Sequence, residues 1–600
     1  MKLSKLWSDI KLMISFIWKG DKSIFIFKII NIIALTAQSV LGALSMKWVL
    51  DGIQTRTLKE AAYLVLSIQL LQFLFYSIVT LVGRIVIPRT EYKLRNYLQN
   101  IFIQRSLLHD LECYENFRFY DNYTKAARVA DKKAMDFLNM LSDMIRQIVT
   151  LISLIGILSS MDPVLMLFTL IIVLITIFDT NRSNYWSHEE YEAEQSIERR
   201  ANYIKKIAHQ RLFAKDVRVY NLGEFLIQKL NETFKEKYAI FKKYNGKYWR
   251  IKYIVSLINT LIILPAIRIY LIYCLFTGSI TIGSFTVLVN ICFSVSGQIS
   301  AIFNDISNMN FESQYYVSHL RGILEYNSTI EATLGSNYKN IASIETIEFK
   351  NVSFSYPHHD VQVLKNISFK IEKRQKVAIV GKNGVGKSTL IKLLLRLYDV
   401  TEGEILINGI SIKEYNIRDL RKCFSCTLQD YNIYAFTVAE NLSMQNSQDE
   451  DKIMESLAFT NMEGRIGSLK NTYRTYISRE FDEHGVEFSG GERQKLAISR
   501  AHYNKSSVFI MDEANSALDP LAEYDLNSKI ISNLADQTVI FVTHRLSTTT
   551  HADTILVLDQ GELIDKGNHL ELMERNALYN SMFSCQAKAY LSHKELQKYE

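Results

Sequence analysis

The chain has 600 residues, 69 Lys and Arg against 62 Asp and Glu, a net charge of +7, and 48% hydrophobic residues. That length is too great for one hydrophobic core and points to two or three folding units; the long uncharged runs described below argue against a soluble fragment. Cys113, Cys274, Cys292, Cys423, Cys426 and Cys585 are scattered without the spacing of a secreted disulfide framework and read as free thiols, and Cys423-x-x-Cys426 lacks the second pair or histidines that a metal would need.

In chain order, "LWSDIKLMISFIWKG" is amphipathic and predicts a helix lying on a membrane surface. Apolar runs long enough to span a bilayer, about 20 residues each, then follow near 24–44, 61–87, 144–160, 164–177, 253–276 and 280–302. The fourth is short if counted only to Phe178, where Asp179 follows, and its boundary is left open. A signal-peptide reading of "IIALTAQS" is set aside, since the stretch before it is long and cleavage would leave an odd number of spans. Short links such as "MDP" and "TGSITIG" join the spans in pairs, and two polar excursions, Pro88–Asp143 and Arg182–Lys252, separate the pairs.

Both excursions are rich in Lys and Arg, so the positive-inside bias places them, both termini and the second half of the chain in the cytoplasm. These cations alternate with Asp and Glu at helical spacing, which favours solvated helix faces over nucleic-acid binding. Each excursion reads as a long helical arm broken once, at "ECYENFRFYDNYTKA" and at "HQRLFAKDVRVYNL". An aromatic-rich break at the tip of an arm suggests a docking element. Within the spans Arg268, Asn259 and Gln298 are candidates for a polar substrate cavity; amides that bridge helices, and an arginine facing another helix or water, are the alternative. The expected organisation is a transmembrane domain at 1–325, a linker at 326–345 and a globular α/β domain at 346–600.

In the globular part, "KVAIV" predicts a strand and "STLIKLLLRLY" a helix, with G-x-x-x-x-G-K-S between them. Gly381, Asn383, Gly384 and Gly386 let backbone N–H groups close around phosphate oxygens; Lys387 reaches the terminal phosphates, Ser388 can ligate Mg²⁺, and Thr389 follows at the helix start. "SSVFIMDEANSALD" predicts a buried strand ending in adjacent carboxylates. Asp512 would hold Mg²⁺ and Glu513 would orient the attacking water. "FSGGERQKLAISRA" opens a second helix at Ser489, Gly490 and Gly491, a further anion site by virtue of its exposed N–H groups.

With these residues in order, the chain resembles an ATP-binding cassette exporter, a half-transporter whose six-span α-helical domain precedes an α/β P-loop nucleotide-binding domain. By that resemblance Tyr356 in "VSFSYP" stacks on adenine, and Gln429 in "TLQDYNIYAFTVAENL" links the Mg²⁺ and water site to the membrane domain. Ser489 and Gly491 contact the γ-phosphate held by the opposite subunit, Asp519 lies at the dimer interface, and His544 in "FVTHRLS" is the switch histidine. Two departures stand out: Phe488 and Glu492 replace the Leu and Gln that usually bound the signature.

The resemblance implies ATP and Mg²⁺ as cofactors, a homodimer with two working sites (a heterodimer being the alternative), and coupling helices near Asn116–Asp121 and Ala214–Tyr220. It implies export across a bacterial cytoplasmic membrane. The arm segments are similar to those of lantibiotic and peptide exporters, so a peptide is the expected cargo, with lipid or drug efflux as the alternative. An ATP-gated channel or a regulatory membrane ATPase would carry the same motifs. There is no cysteine-protease domain ahead of the spans, so leader-peptide cleavage by the chain is not expected.

Overall fold

The computed structural model describes residues 3–55, 58–331, 338–357, 359, 361–445, 447–512, 520–543 and 546–588. Packing divides the chain into two compact units, Met1–Leu107 with Tyr120–Tyr326, and Leu108–Phe119 with Asn327–Glu600. The chain therefore crosses from one unit to the other three times.

The first unit holds, but for Phe119 at the start of the third, the six apolar helices Ser23–Ile53, Ala62–Ser106, Phe119–Met161, Leu165–His209, Gly223–Phe276 and Ile282–Glu325. All six predicted spans are present, and the helices run far past the apolar stretches. The fourth continues unbroken through Asp179 to His209. Hydropathy marks where lipid would end, whereas a helix satisfies its own backbone hydrogen bonds on either side of that point. The second and fifth helices each contain a widened π turn, at Val82–Val86 and Asn259–Ile263, just before Pro88 and Pro265. A proline has no N–H to donate and its ring crowds the preceding turn, which the extra residue relieves.

Leu154, Leu158, Ile172, Ile267, Leu288 and Ile291 are buried in the core of this unit. Hydroxyls pair along the fourth and sixth helices about one turn apart. Thr176 meets Ser296 at 2.8 Å and Thr180 meets Ser300 at 3.2 Å, and beyond them His188 Nε2 lies 2.9 Å from Ser307 Oγ. Such pairs stabilise apolar helices by about 0.6 kcal/mol each and fix their register.

The amphipathic N-terminal stretch is helical over Leu3–Gly20, but its apolar face does not lie bare for a membrane. Leu6, Ile10, Met13 and Ile17 are buried, and the helix packs on Ile87–Ser106. Asp9 is fully buried; it accepts from Arg321 Nη2 at 2.5 Å and from the Ser313 hydroxyl. The apolar stripe thus finds a protein partner, while Trp7 and Trp18 remain exposed.

The second unit is built on two sheets. Strands β1 (Thr346–Ser355), β2 (Gln362–Glu372), β4 (Glu402–Ile407) and β5 (Ile410–Ser411) form an antiparallel sheet in the order β2-β1-β4-β5. Strands β3 (Lys376–Gly381), β6 (Phe424–Thr427), β7 (Val508–Asp512), β8 (Thr538–Val542), β9 (Thr554–Asp559) and β10 (Glu562–Gly567) form the other, in the order β10-β9-β3-β8-β7-β6. All its pairings are parallel except that of the edge strand β10. Every residue of β3, β7 and β8 is buried, the pattern of parallel strands covered on both faces. Ligands of such sheets sit at the carboxyl ends of the strands, where β3, β6 and β7 deliver the candidate residues.

Candidate functional site

The carboxyl end of β3 turns into the helix Lys387–Leu394 through the loop 381–386. The glycines there are forced. Gly381 has φ +155°, and a Cβ on it would lie 2.3 Å from the Leu558 carbonyl oxygen; Gly386, at φ +99°, would drive a Cβ to 2.6 Å from Leu364 Cδ2. Gly384 is also left-handed, at φ +81°. Asn383 and Gly384 are exposed at the crest of the loop. The loop therefore presents backbone N–H groups at a helix N-terminus, where the macrodipole favours an anion. Lys387 is buried, and its Nζ donates to the carbonyls of Gly381 (3.1 Å) and Lys382 (3.0 Å), so its charge is held within the curve of the loop.

Ser388 Oγ donates to Asp512 Oδ1 at 3.1 Å, which joins the helix start to the end of β7. Asp512 is buried, opposite Val542 in the parallel pairing. A hydroxyl and a carboxylate side by side at a phosphate loop are hard oxygen donors of the kind that hold Mg²⁺ with nucleotide phosphates and water. Among the described residues no three His, Cys, Asp or Glu cluster as a self-sufficient metal cage. A Mg²⁺ site here would thus depend on phosphate oxygens, as Mg²⁺ sites in nucleotide enzymes do. Gln429 is exposed in the turn just beyond β6, the strand paired in parallel with β7, so it leaves the sheet beside the Asp512 end.

Thr389, buried one residue further on, shares a 3.0 Å hydrogen bond with the Tyr356 hydroxyl. Tyr356 is half-buried, edge-on to Tyr398 at 5.4 Å, with Lys392 Nζ 5.3 Å from its ring centre. The predicted adenine-stacking tyrosine and the phosphate helix are therefore one connected cluster.

Phe488 is buried in an apolar cluster, which accounts for the departure from leucine: the position is a core anchor that an aromatic fills. Ser489 begins the helix Gly490–Tyr503 as its N-cap. Its Oγ accepts from Glu492 N at 3.2 Å, and Glu492 Oε2 accepts from Ser489 N at 2.8 Å, a reciprocal capping box. The Ser489 hydroxyl spends an acceptor lone pair on the cap and keeps its O–H to donate. Ser489 and Gly490 are exposed and Gly491 half-buried. Glu492 also takes a 2.8 Å bond from Arg465 Nε. Burial alone would raise the Glu492 carboxyl, but the Ser489 N–H and the Arg465 guanidinium hold it below the usual range.

Sequence reasoning missed the tip of the first arm, which belongs to this unit. The short helix there is Leu111–Glu115, ahead of the expected Asn116–Asp121, and Asn116 is its C-cap. In the second arm the tip helix Ala214–Val219 falls where it was expected. Asp110, buried, accepts from the N–H groups of Thr329 (2.9 Å), Ile330 (3.2 Å) and Glu331 (3.1 Å) and from the Ser328 and Thr329 hydroxyls. Glu331 pairs with Arg421 at 2.7 Å, whose guanidinium also donates to the carbonyls of Leu395 and Arg396, at the end of the phosphate helix. Burial first, then the nearby Glu115 carboxylate, pushes the Tyr398 hydroxyl well above the usual tyrosine range. Hydrogen bonds therefore connect the arm tip to the end of that helix, and the Glu115 charge reaches Tyr398, whose ring packs on Tyr356 and so leads to Thr389 at the helix start.

Glu513, Asp519 and His544 lie outside the described residues. All six cysteines are free; Cys426 is pushed up to about 12 by burial and by the Asp512 carboxylate, and so stays a neutral, unreactive thiol. Of the cavity candidates, Asn259 opens the π turn of the fifth helix, half-buried, with its Oδ1 unpartnered. Gln298 is half-buried on the sixth helix and Arg268 is exposed on the fifth. Among the described residues no hydrogen bond joins any of the three to another.

The family profile described as "ABC transporter" matches residues 364–516. "Subtilin transport ATP-binding protein SpaT" of Bacillus subtilis is 31% identical over 481 residues, covering 79% of this chain and 76% of that protein. An "ATP-dependent lipid A-core flippase" of Haemophilus influenzae (strain 86-028NP) is 34% identical over 310 residues, 51% of each chain, so the match spans about half of that relative. The structure titled "Structure of a bacterial Atm1-family ABC exporter with ATP bound" shares the fold, with a TM-score of 0.79 at 22% identity over 94% of this chain and 99% of that one.

Proposed function

We propose a peptide cargo of lantibiotic type for this chain, which belongs to the ABC transporter family and is one half of a bacterial exporter driven by ATP hydrolysis. One observation carries the cargo: the 481 residues aligned with the subtilin transport protein exceed the length of the nucleotide-binding part, so the likeness reaches into the membrane half, where cargo must be recognised. The cassette is common to transporters of many cargoes and does not discriminate between them.

In this reading two copies meet. ATP lies between the loop at Gly381 of one subunit and the Ser489 helix start of the other, because one chain carries both phosphate surfaces. Gly384, Gly386 and Lys387 bind the phosphates, Tyr356 orients the base, and the Ser489 O–H and the Gly491 N–H receive the γ-phosphate across the interface. Ser388, Asp512 and Gln429 would hold Mg²⁺, which neutralises phosphate charge when bound. Glu513 holds the attacking water, His544 steadies the γ-phosphate and Asp519 lines the interface. Nucleotide binding favours the closed pair of cassettes and, through the arm tips, the outward-open membrane domain; hydrolysis reverses the bias. The basic arms and both termini lie in the cytoplasm by the charge rule.

The test is ATP-dependent uptake of a labelled lanthionine peptide into inside-out vesicles, expected for the wild type and absent in Glu513→Gln. Passive flux without ATP would instead mark a channel. The flippase relative favours a second reading, lipid translocation; transbilayer movement of labelled lipid, with no peptide uptake, would select it.

A further inference from the structure

The fourth and fifth long helices pack antiparallel, as the pairs Arg200–Glu236 and Glu198–Lys237 show. Between their apolar sections runs a groove of about 380 Å³ lined by Leu174, Phe178, Ile251, Ile254 and Ile258. On each helix the next position on the same face, one turn toward the arm, is a cation: Arg182 follows Phe178, and Lys247 precedes Ile251.

Both cations converge on one indole. Arg182 Cζ lies 4.8 Å and Lys247 Nζ 4.3 Å from the centre of the Trp186 ring. Among the described residues neither has a carboxylate partner. Asp179, beside Phe178, faces Lys252 instead. The Trp186 indole N–H is buried without an acceptor. Cation–π attraction holds each charge near the ring but neutralises neither. An anion beside them supplies the missing countercharge. A simple counterion would leave the groove one turn away exposed, whereas an amphiphile with a negative head and an apolar tail satisfies both.

We propose that this groove and its cationic collar bind an anionic phospholipid, its acyl chain along the groove and its phosphate paired with Arg182 and Lys247. The proposal does not rest on the peptide reading of the cargo, because the groove and its cations are read from the helix pair itself.

Native mass spectrometry of the full-length protein, equilibrated in detergent with equal phosphatidylglycerol and phosphatidylcholine, reads it directly. The wild type is expected to retain phosphatidylglycerol preferentially. Arg182→Gln with Lys247→Gln is expected to lower that preference roughly tenfold or more, as the loss of two membrane-proximal cations implies. Ile254→Trp, which fills the groove and leaves every charge, carries the test if the double variant does not fold: loss of retained phosphatidylglycerol supports the site, and unchanged retention overturns it. Equal retention of the two lipids by the wild type overturns it too. So does displacement of the lipid by soluble glycerol phosphate, which would make a free phosphate ester the ligand. Disulfide capture of a second copy through Phe178→Cys would show the groove covered by protein and would also overturn it.

Discussion

In the cassette unit, individual residues are fixed by local geometry: only glycine tolerates the backbone at 381 and 386, and Lys387 holds its ammonium inside the loop. In the membrane unit many side chains share one duty, and Leu154, Leu158, Ile172 and Leu288 could trade identities so long as volume and apolarity were kept. The difference separates a site, which is particular, from a solvent-matched scaffold, which is statistical. It teaches that substitutions in the two units should fail differently, one through rate and the other through stability.

The sharpest way to break that contrast is Lys387→Ala. It is expected to lower ATP turnover about 1000-fold, with thermal unfolding shifted by less than about 1 kcal/mol. Phosphate release and a thermal scan on the same sample check it, and a large loss of stability would mean that the lysine also holds the fold. The counterpart in the membrane unit is Asp9→Ala, which leaves Arg321 without its carboxylate and Ser313 without its acceptor. About 2–3 kcal/mol of stability should be lost, less than for a fully buried pair because Arg321 is partly exposed, while the turnover of the protein that stays folded changes less than about twofold.

The smallest effect tests the cap. Glu492→Gln keeps an acceptor for the Ser489 N–H and removes only the charge facing Arg465. With both side chains partly exposed, the cost is about 0.5 kcal/mol or less. The folded carboxyl lies below its unfolded value of about 4.3, so its contribution is present above that pH and is lost as the pH falls through the folded value. Melting curves of the two proteins should therefore differ at neutral pH and converge in acid.

The same contrast explains what could be read in advance. The meeting of the Gly381–Ser388 loop with Asp512, and the helix start at Ser489, were legible because a loop of this composition after a strand fixes residue type and spacing together, and the six spans because lipid demands about 20 apolar residues in a row. Asp110 was not: its partners Ser328–Glu331 lie more than 200 residues away in sequence, and a single aspartate in a polar arm belongs to no period. The passage of the fourth helix through Asp179 escaped for a related reason, since one charge ends an apolar run without ending a helix. The buried face of the N-terminal helix was misassigned because amphipathicity states that one side seeks cover, not which cover it finds.

Because the chain changes units at Leu107, at Phe119 and again at Tyr326, the motor is not tethered to its load by one flexible cord. Asp110 bonds the 108–119 stretch to Ser328–Glu331, so two separate pieces of chain are fastened together inside the second unit. A cut in the chain near Tyr326 would leave the 108–119 stretch bonded to Ser328–Glu331, so the severed pieces should still purify together.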